Sequence, residues 1–228
     1  MRDLSVRALE EEQMDDPALP PEAYRTVLAD LARVNRWTFA ARPTLGFLSR
    51  AAAGMRRFSL LDVGYGEGGM LRTVAAWAAR RGIEAQLTGI DLNPKSAAAA
   101  RAATPAGMSI EWRTGDYAEL GRFDVVVSSL VAHHMSASQL RAFLLWMETH
   151  AERGWLINDL HRHRVAYSGY PLLARLLRVH RIVREDGRLS IARAYRPPEW
   201  RRILDDAGIQ GARTIRRFPF RLCVERLR

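Results

Sequence analysis

Short apolar runs alternate with stretches of helical apolar spacing over most of the chain. Five runs are typical of β-strands and cover residues 58–64, 85–92, 108–116, 123–130 and 154–159. The run at 123–130 has a continuously apolar centre, which favours a strand buried on both faces of a sheet. Two closing strands, 211–218 and 220–228, are predicted to meet at Pro219.

Helices are predicted between these strands and before the first of them. Those between the strands cover residues 69–82, 95–103, 136–154 and 196–209. Ser136 or Ser138 is expected to cap the third of these, because a serine side chain satisfies free N–H groups at a helix start. Two earlier helices lie within residues 17–55, and the first begins at Pro20 and Pro21.

The alternation predicts an α/β protein with a doubly wound, mostly parallel, seven-stranded sheet. Residues 1–55 are interpreted as an N-terminal helical cap and residues 56–228 as the ligand-binding domain. Residues 160–195 interrupt the alternation with mixed apolar and basic positions and are predicted to be helical from about residue 170. This insertion is expected to lie as a lid over the ligand edge of the sheet.

The segment LLDVGYGEGGML, residues 60–71, places a glycine-rich turn directly after the first predicted strand. Gly64, Gly66 and Gly69 form the G-x-G-x-x-G of dinucleotide-binding dehydrogenases. Read from Asp62, the same stretch is D-x-G-x-G-x-G. Glycine lets a ligand approach the backbone closely in both patterns, so the turn alone does not separate them.

Carboxylates at the strand ends favour the second pattern. Asp62 would repel a pyrophosphate but attract S-adenosylmethionine, which carries a sulfonium and an ammonium. Asp91 and Asp116 end the second and third predicted strands, at the edge where parallel sheets bind ligands. The residues outside this unit are also too few for the second, catalytic domain that a dehydrogenase usually needs.

Together these segments resemble the class I S-adenosylmethionine-dependent methyltransferases over roughly residues 58–228. The resemblance is carried by LDVGYGEG, GIDLNP, GDY, FDVVVSSLVAHHM and INDL. More narrowly, the chain is similar to the small-molecule branch that acts on phenols, quinones and polyketides. The resemblance implies the Rossmann-like methyltransferase fold, with S-adenosylmethionine as the cofactor.

The resemblance also implies which residues hold the cofactor. Gly64 and Gly66 would contact its methionine part, Asp91 its ribose and Asp116 its adenine. Further positions expected in this site are Asp62, Tyr65, Leu92, Tyr117 and Ser129. Tyr65 departs from the family, which often has a small residue there, and would either crowd the methionine part or pack against it.

Two adjacent histidines, His133 and His134, follow the fourth predicted strand. Transfer to a phenol requires loss of the phenol proton, and a neutral imidazole is a suitable base near neutral pH. His133 is the predicted base, and the resemblance implies that Asp159, after the fifth strand, assists by orienting it or binding the acceptor. Alternatively one histidine, more readily His134, only caps the next helix.

The predicted cap and lid are rich in apolar residues, which favours an apolar aromatic acceptor. Trp37, Tyr167 and His161 are candidate substrate-binding residues, and His161 is also a second candidate base. No metal site is expected, because His161 and His163 lie on an Arg-rich loop without matched carboxylates.

Charge and cysteine content limit the remaining choices. Residues 160–228 hold 17 of the 35 basic residues and 6 of the 25 acidic ones, so this region carries a charge of +11 and accounts for the whole net charge of +10. Such a region indicates a solvated surface, or contact with an anion such as nucleic acid or an anionic membrane. The single cysteine, Cys223, excludes an intrachain disulfide. The chain shows neither a signal-like start nor an apolar run of membrane-spanning length, so a cytoplasmic location is expected.

The leading prediction is O-methylation of a phenolic, quinone or polyketide-derived small molecule, in natural-product or lipid biosynthesis. C-methylation of an electron-rich ring needs the same phenolate and stays open. The basic region also fits a nucleic-acid or protein methyltransferase, but the motif of an Asn or Asp before two prolines is missing after the fourth strand. Nucleic acid is therefore disfavoured as a partner. A non-catalytic S-adenosylmethionine-binding protein is the alternative if both histidines are structural.

Overall fold

The computed structural model describes residues 2–228, and a single sheet forms its centre. The strands are β1 Arg57–Val63, β2 Glu84–Asp91, β3 Glu111–Thr114, β4 Phe123–Ser129, β5 Ala151–Leu160, β6 Arg213–Arg217 and β7 Arg221–Leu227. Their order in the sheet is β3-β2-β1-β4-β5-β7-β6. Strands β1 to β5 pair in parallel, and β7 runs antiparallel to both β5 and β6. The predicted mostly parallel, seven-stranded sheet is confirmed.

Helices cover both faces of this sheet. They are α1 Pro21–Trp37, α2 Ala41–Ala51, α3 Gly69–Ala79, α4 Pro94–Ala103, α5 Ala137–His150, α6 Arg164–Leu176, α7 Arg181–Arg193 and α8 Pro197–Asp206. Leu60 and Val127 pack with α2 and α3 in one apolar cluster, whereas Leu61 and Val126 pack with α5 and α8 in another. The alternation of strand side chains between two covered faces explains why β4 is apolar throughout its centre.

Two predicted boundaries are wrong. Helix α5 ends at His150 rather than near residue 154, because Ala151 already pairs with Phe123 of β4. Gly154, the last residue of the predicted helix, lies inside β5 with φ +149°, and a Cβ there would stand 2.3 Å from the carbonyl oxygen of Arg226. The third strand is also shorter than predicted, since only Glu111–Thr114 pairs with β2.

The 160–195 insertion forms two helices, and its helical part begins earlier than predicted. His163 accepts the N–H of Val165 and starts α6 at Arg164 instead of near residue 170. Apolar side chains of α1, α6, α7 and the connection between α6 and α7 then pack together in one cluster: Val27, Val34, Ala174, Val179, Ile182 and Val183. These three helices lie over the carboxyl ends of the strands.

The predicted boundary of the N-terminal cap at residue 55 does not follow the packing. Phe47 and Leu48 of α2 are fully buried against Phe58 and Leu60 of β1, as in an ordinary helix flanking a sheet. Within residues 2–55, it is α1 and the segment before it that cover the ligand edge. No helix among residues 2–228 is both long and apolar enough to cross a membrane.

Residues 2–16, which we call the N-terminal segment, pack along α7, and no sequence pattern indicated this. The N–H of Ala8 donates to the carbonyl oxygen of Ala192 at 3.0 Å. The carboxylate of Asp186 accepts the N–H groups of Gln13 and Met14 at 3.1 and 2.9 Å. These contacts bring the end of the N-terminal segment to the carboxyl ends of β4 and β5.

Candidate active site

A cavity of about 1190 Å³ lies between the carboxyl ends of the strands and the covering helices α1, α6 and α7. Seven predicted site residues line it: Asp62, Gly64, Tyr65, Gly66, Ser129, His133 and His134. Apolar side chains contributed by the covering helices, α2 and the end of β5 form much of the remaining wall: Leu28, Leu31, Leu45, Leu160, Val165 and Leu173. The cavity therefore combines a polar floor at the strand ends with an apolar roof.

The glycine turn after β1 needs residues without a Cβ. Gly64 has φ +76°, and a Cβ there would lie 2.3 Å from Cγ2 of Val131. Gly66 has φ +57°, and its N–H donates to Oδ2 of Asp91 at 2.9 Å. Leu28 of α1 reaches to 3.7 Å from the position of a Cβ at Gly66, so α1 lies directly over the turn.

Asp62 is the most unusual carboxyl of the cavity floor. Its side chain is only 1% exposed, and its Oδ1 has no hydrogen-bond partner within residues 2–228. Burial, with a smaller contribution from Asp91, raises the pKa of Asp62 to about 8. A buried acceptor of this kind is costly without a partner, and a cationic ligand group would supply one.

Tyr65 packs beside the turn. Its ring lies 4.8 Å from that of Trp112, and its hydroxyl donates to the carbonyl oxygen of Arg113 at 3.1 Å. The ring fits over β2 because residue 89 is glycine, where a Cβ would lie 2.6 Å from Cδ1 of Tyr65. Of the two alternatives for this residue, the structure shows packing, although against the protein's own Trp112.

Four other predicted cofactor residues lie at the same edge but outside the cavity lining. Asp91 accepts N–H groups of Gly66 and Asn93, and Asp116 accepts the N–H of Ala118. Leu92 is exposed, and Tyr117 packs on the rings of Phe143 and Trp146. Each carboxylate oxygen has two lone pairs, so these contacts leave acceptor capacity on both acids.

His133 and Asp159 form a buried pair at the ends of β4 and β5. Nδ1 of His133 lies 2.7 Å from Oδ1 of Asp159, and the His133 N–H donates to Oδ2 at 2.8 Å. Although burial opposes ionisation of Asp159, His133 and the N–H of Leu160 hold the pKa of the carboxyl below its usual value. An ionised Asp159 fixes the proton on Nδ1 and leaves the Nε2 lone pair free.

The alternative role of His134 as a helix cap is wrong. Ser136 caps α5 and forms a capping box with Gln139. His134 instead directs Nδ1 to Oδ2 of Asp15 at 2.9 Å, and its ring lies 4.3 Å from that of His133. Both histidines are therefore oriented by carboxylates.

Glu12 completes this group and was not predicted. Its carboxylate, only 3% exposed, lies 3.6 Å from Nε2 of His133 and 3.9 Å from Nε2 of His134. Ser190 donates to Oε1 at 2.9 Å, and Arg193 lies 3.9 Å away. The acidic run that contains Glu12 has no helical or strand spacing, so no local signal could have identified it.

Arg221, at the start of β7, is a second residue that sequence reasoning missed. The guanidinium is 2% exposed and lines the cavity, and its Nη2 donates to Asn35 at 3.2 Å. Nη1 has no partner within residues 2–228. A buried N–H donor at the cavity wall can bind an anionic oxygen of a ligand.

None of the three predicted substrate-binding residues lines the cavity. Trp37 is exposed at the end of α1. Tyr167 packs under Arg188, whose guanidinium lies 4.4 Å from the ring centre. Burial and Arg216 lower the pKa of His161 to about 4, which makes it a poor base at neutral pH.

Comparison with known proteins identifies the central part of the chain. Residues 60–154 match the family model described as a methyltransferase domain. This central part of the chain is similar to a methyltransferase domain. This match confirms the predicted enzyme class, a methyltransferase dependent on S-adenosylmethionine. No functionally curated protein shows significant sequence similarity to the chain.

Solved methyltransferase structures share the fold of the methyltransferase domain and its flanking elements. Magnesium protoporphyrin IX methyltransferase from Synechocystis PCC 6803, with bound SAH, is 16% identical with a TM-score of 0.57, and the match covers 95% of this chain and 91% of that one. Human N-acetylserotonin methyltransferase, in complex with SAM, is 14% identical with a TM-score of 0.64, covering 92% and 56%. The plantazolicin methyltransferase BpumL is 16% identical with a TM-score of 0.62, covering 82% and 71%. At these identities the likeness shows the fold.

Proposed function

We propose that the protein methylates a hydroxyl oxygen of an apolar phenolic, quinol or polyketide-derived small molecule. The observation that carries this proposal is the buried His133–Asp159 pair, whose histidine lines a cavity with an apolar roof. The enzyme class sets the methyl donor, and this pair supports a hydroxyl acceptor that must lose its proton.

The glycine turn and Asp62 fit the cofactor. The unpartnered Oδ1 of Asp62 faces a cavity where a cation would compensate the buried carboxylate. Gly64 and Gly66 leave room for close approach to the backbone. When bound, S-adenosylmethionine supplies an electrophilic methyl group on a sulfonium.

The chain's own residues prepare the acceptor. Asp159 holds the Nδ1 proton of His133 and orients the ring. Nε2 of His133 then accepts the proton of the acceptor hydroxyl and passes it on to solvent. The free N–H of Arg221 can stabilise the resulting phenolate. The phenolate oxygen forms the new bond to the methyl carbon with its own electron pair, while the carbon–sulfur bond breaks and its electrons stay on sulfur.

The apolar wall favours a hydrophobic acceptor over a nucleic acid. Leu28, Leu31 and Leu173 approach from the covering helices, and burying an apolar ring against such side chains contributes roughly 25 cal/mol per Å².

Transfer of tritiated methyl groups from S-adenosylmethionine tests the proposal. Alkylresorcinols and quinols should accept label as methyl ethers, whereas total RNA should not. The variant His133→Ala should lose roughly 100- to 10,000-fold in kcat, while cofactor affinity stays close to that of the wild type. His150→Ala, at the far end of α5, is the matched control and should keep full activity. Labelling of RNA alone, or full turnover in His133→Ala, would contradict the proposal.

A further inference from the structure

We propose that Glu12, His133 and His134 bind a divalent first-row metal cation, such as Zn²⁺, at the wall of the cavity. One ligand nitrogen of each histidine and one carboxylate oxygen of Glu12 lie within 4.8 Å of one another. The existence of the site does not depend on the proposed function, but its role in activating the acceptor does.

The orientation of the histidines carries this inference. Asp159 takes the Nδ1 side of His133, and Asp15 takes the Nδ1 side of His134. A proton held on each Nδ1 leaves both Nε2 lone pairs directed toward Glu12. Three acceptors then face one another, two of them on fully buried side chains and the third on the partly exposed His134. Such an arrangement is unfavourable until a cation lies between the acceptors.

The geometry resembles that of a metal site with orienting carboxylates. Histidines that bind a metal through one nitrogen almost always donate the other N–H to a carboxylate, a carbonyl or water, and here both point to carboxylates. Two ligands at tetrahedral Zn²⁺ are separated by roughly 3.4 Å. The two Nε2 atoms lie 3.6 and 3.9 Å from the two different carboxylate oxygens of Glu12, and one ligand atom of each residue lies within 4.8 Å of the others. The ligand atoms must therefore draw together by roughly 1.4 Å or less to reach this spacing.

The surrounding charges suit a dication. Asp15, Asp159 and Glu12 are the carboxylates that face the group. The opposing cations are Arg193, 3.9 Å from Glu12, and Arg7, whose guanidinium donates to the carbonyl oxygen of His133. Two nitrogens and one carboxylate oxygen leave a fourth position open, as in catalytic zinc sites.

With the cation bound, Nε2 of His133 is a ligand rather than the base, and the acceptor is ionised at the open coordination position instead. All three ligands line the cavity, so an acceptor oxygen can complete the coordination. Coordination lowers the pKa of the hydroxyl, whose proton leaves to solvent while its electron pair stays on oxygen. The metal cation is neither oxidised nor reduced in this step.

Calorimetric titration of chelator-treated protein with zinc chloride, without cofactor or acceptor, tests the site itself. One equivalent of zinc should bind. Glu12→Gln and the milder His134→Asn should each weaken binding by more than the roughly 10- to 100-fold expected for Asp15→Asn, which only orients a ligand. Glu11→Gln, an exposed neighbour of Glu12, is the matched control and should bind like the wild type. Circular dichroism should show that each variant is folded.

Absence of stoichiometric zinc, or equal affinity in folded Glu12→Gln, His134→Asn and the wild type, would overturn the proposal. A metal-free enzyme that methylates phenols at full rate would overturn the catalytic role of the cation and leave the proposed function intact. Zinc binding in a protein that accepts no phenol would support the site and contradict the proposed function. Cobalt(II) substitution provides an independent readout, since its visible spectrum should change when a phenol binds.

Discussion

Replacing Asp62 with asparagine should weaken S-adenosylmethionine binding and remove the pH dependence of that binding. Burial and Asp91 raise the pKa of Asp62 to about 8, so its carboxyl is mostly protonated at neutral pH. A cation bound beside it favours the ionised form, and binding must release the proton. The affinity of the wild type should therefore rise with pH by roughly tenfold, about 1.4 kcal/mol, for each unit below pH 8.

The same pKa shift predicts how the stability of the ligand-free protein changes with pH. The folded state holds the Asp62 proton more tightly than the unfolded chain, whose carboxyl has the ordinary pKa of 3.8. The contribution of this group to the free energy of unfolding is complete below that ordinary pKa and is lost as the pH rises toward 8. Asp62→Asn should remove this loss.

Calorimetry between about pH 5.5 and 7.5 measures the binding prediction, because the ligand's amino group stays protonated below its ordinary pKa of roughly 7.7–8.0. Titrations in buffers of different ionisation enthalpy should show nearly one proton released per ligand. Asp205→Asn, an exposed acid on α8, is the matched control and should keep the wild-type slope. A flat wild-type profile, or an unchanged slope in Asp62→Asn, would refute the reasoning.

Two further variants test the glycine turn by denaturant unfolding. Gly64→Ala should lose about 1–3 kcal/mol of stability, because residue 64 has φ +76° and the new Cβ would lie only 2.3 Å from Val131. Gly46→Ala is the control in α2, where the space around the glycine is open, and it should gain roughly 0.5–1 kcal/mol. Equal effects of the two substitutions would be inconsistent with this explanation. Tyr65→Phe removes the hydrogen bond to Arg113 and should lower the free energy of unfolding by about 0.5–1.5 kcal/mol, with unchanged affinity for the cofactor. A large loss of cofactor affinity would instead show that the Tyr65 hydroxyl binds the ligand.

The central strands β1 and β4 were predictable because each one contains an apolar run between clear breaks. Helices cover both faces of the sheet, so successive side chains at the centres of these strands are buried and the sequence there is continuously apolar. The α5–β5 junction was not predictable, because residues 151–153 carry no strand pattern and become a strand by pairing beside Phe123. The insertion was recognised as helical, but the start of α6 depends on a cap from His163.

The floor of the site was predictable for a topological reason. Parallel strands end at the same edge, so polar residues after successive strands must meet there. Asp62, His133 and Asp159 were identified in this way, and the structure brings His133 and Asp159 into hydrogen-bonding contact. The predicted substrate residues failed because Trp37 and Tyr167 were chosen by composition, which does not say whether an apolar side chain faces the cavity or packs elsewhere.

Glu12 shows what local pattern cannot supply. Its position depends on Asp186 and Ser190 of α7, more than 170 residues later in the chain. Because α7 also packs against α1, the helix that covers the glycine turn, the insertion both encloses the cavity and places a buried charge beside the histidines. Through its contacts with α1 and with the segment that holds Glu12, α7 links the enclosure of the cavity to the position of this carboxylate. Loosening α7 should therefore impair acceptor activation even where the cofactor-binding turn is intact.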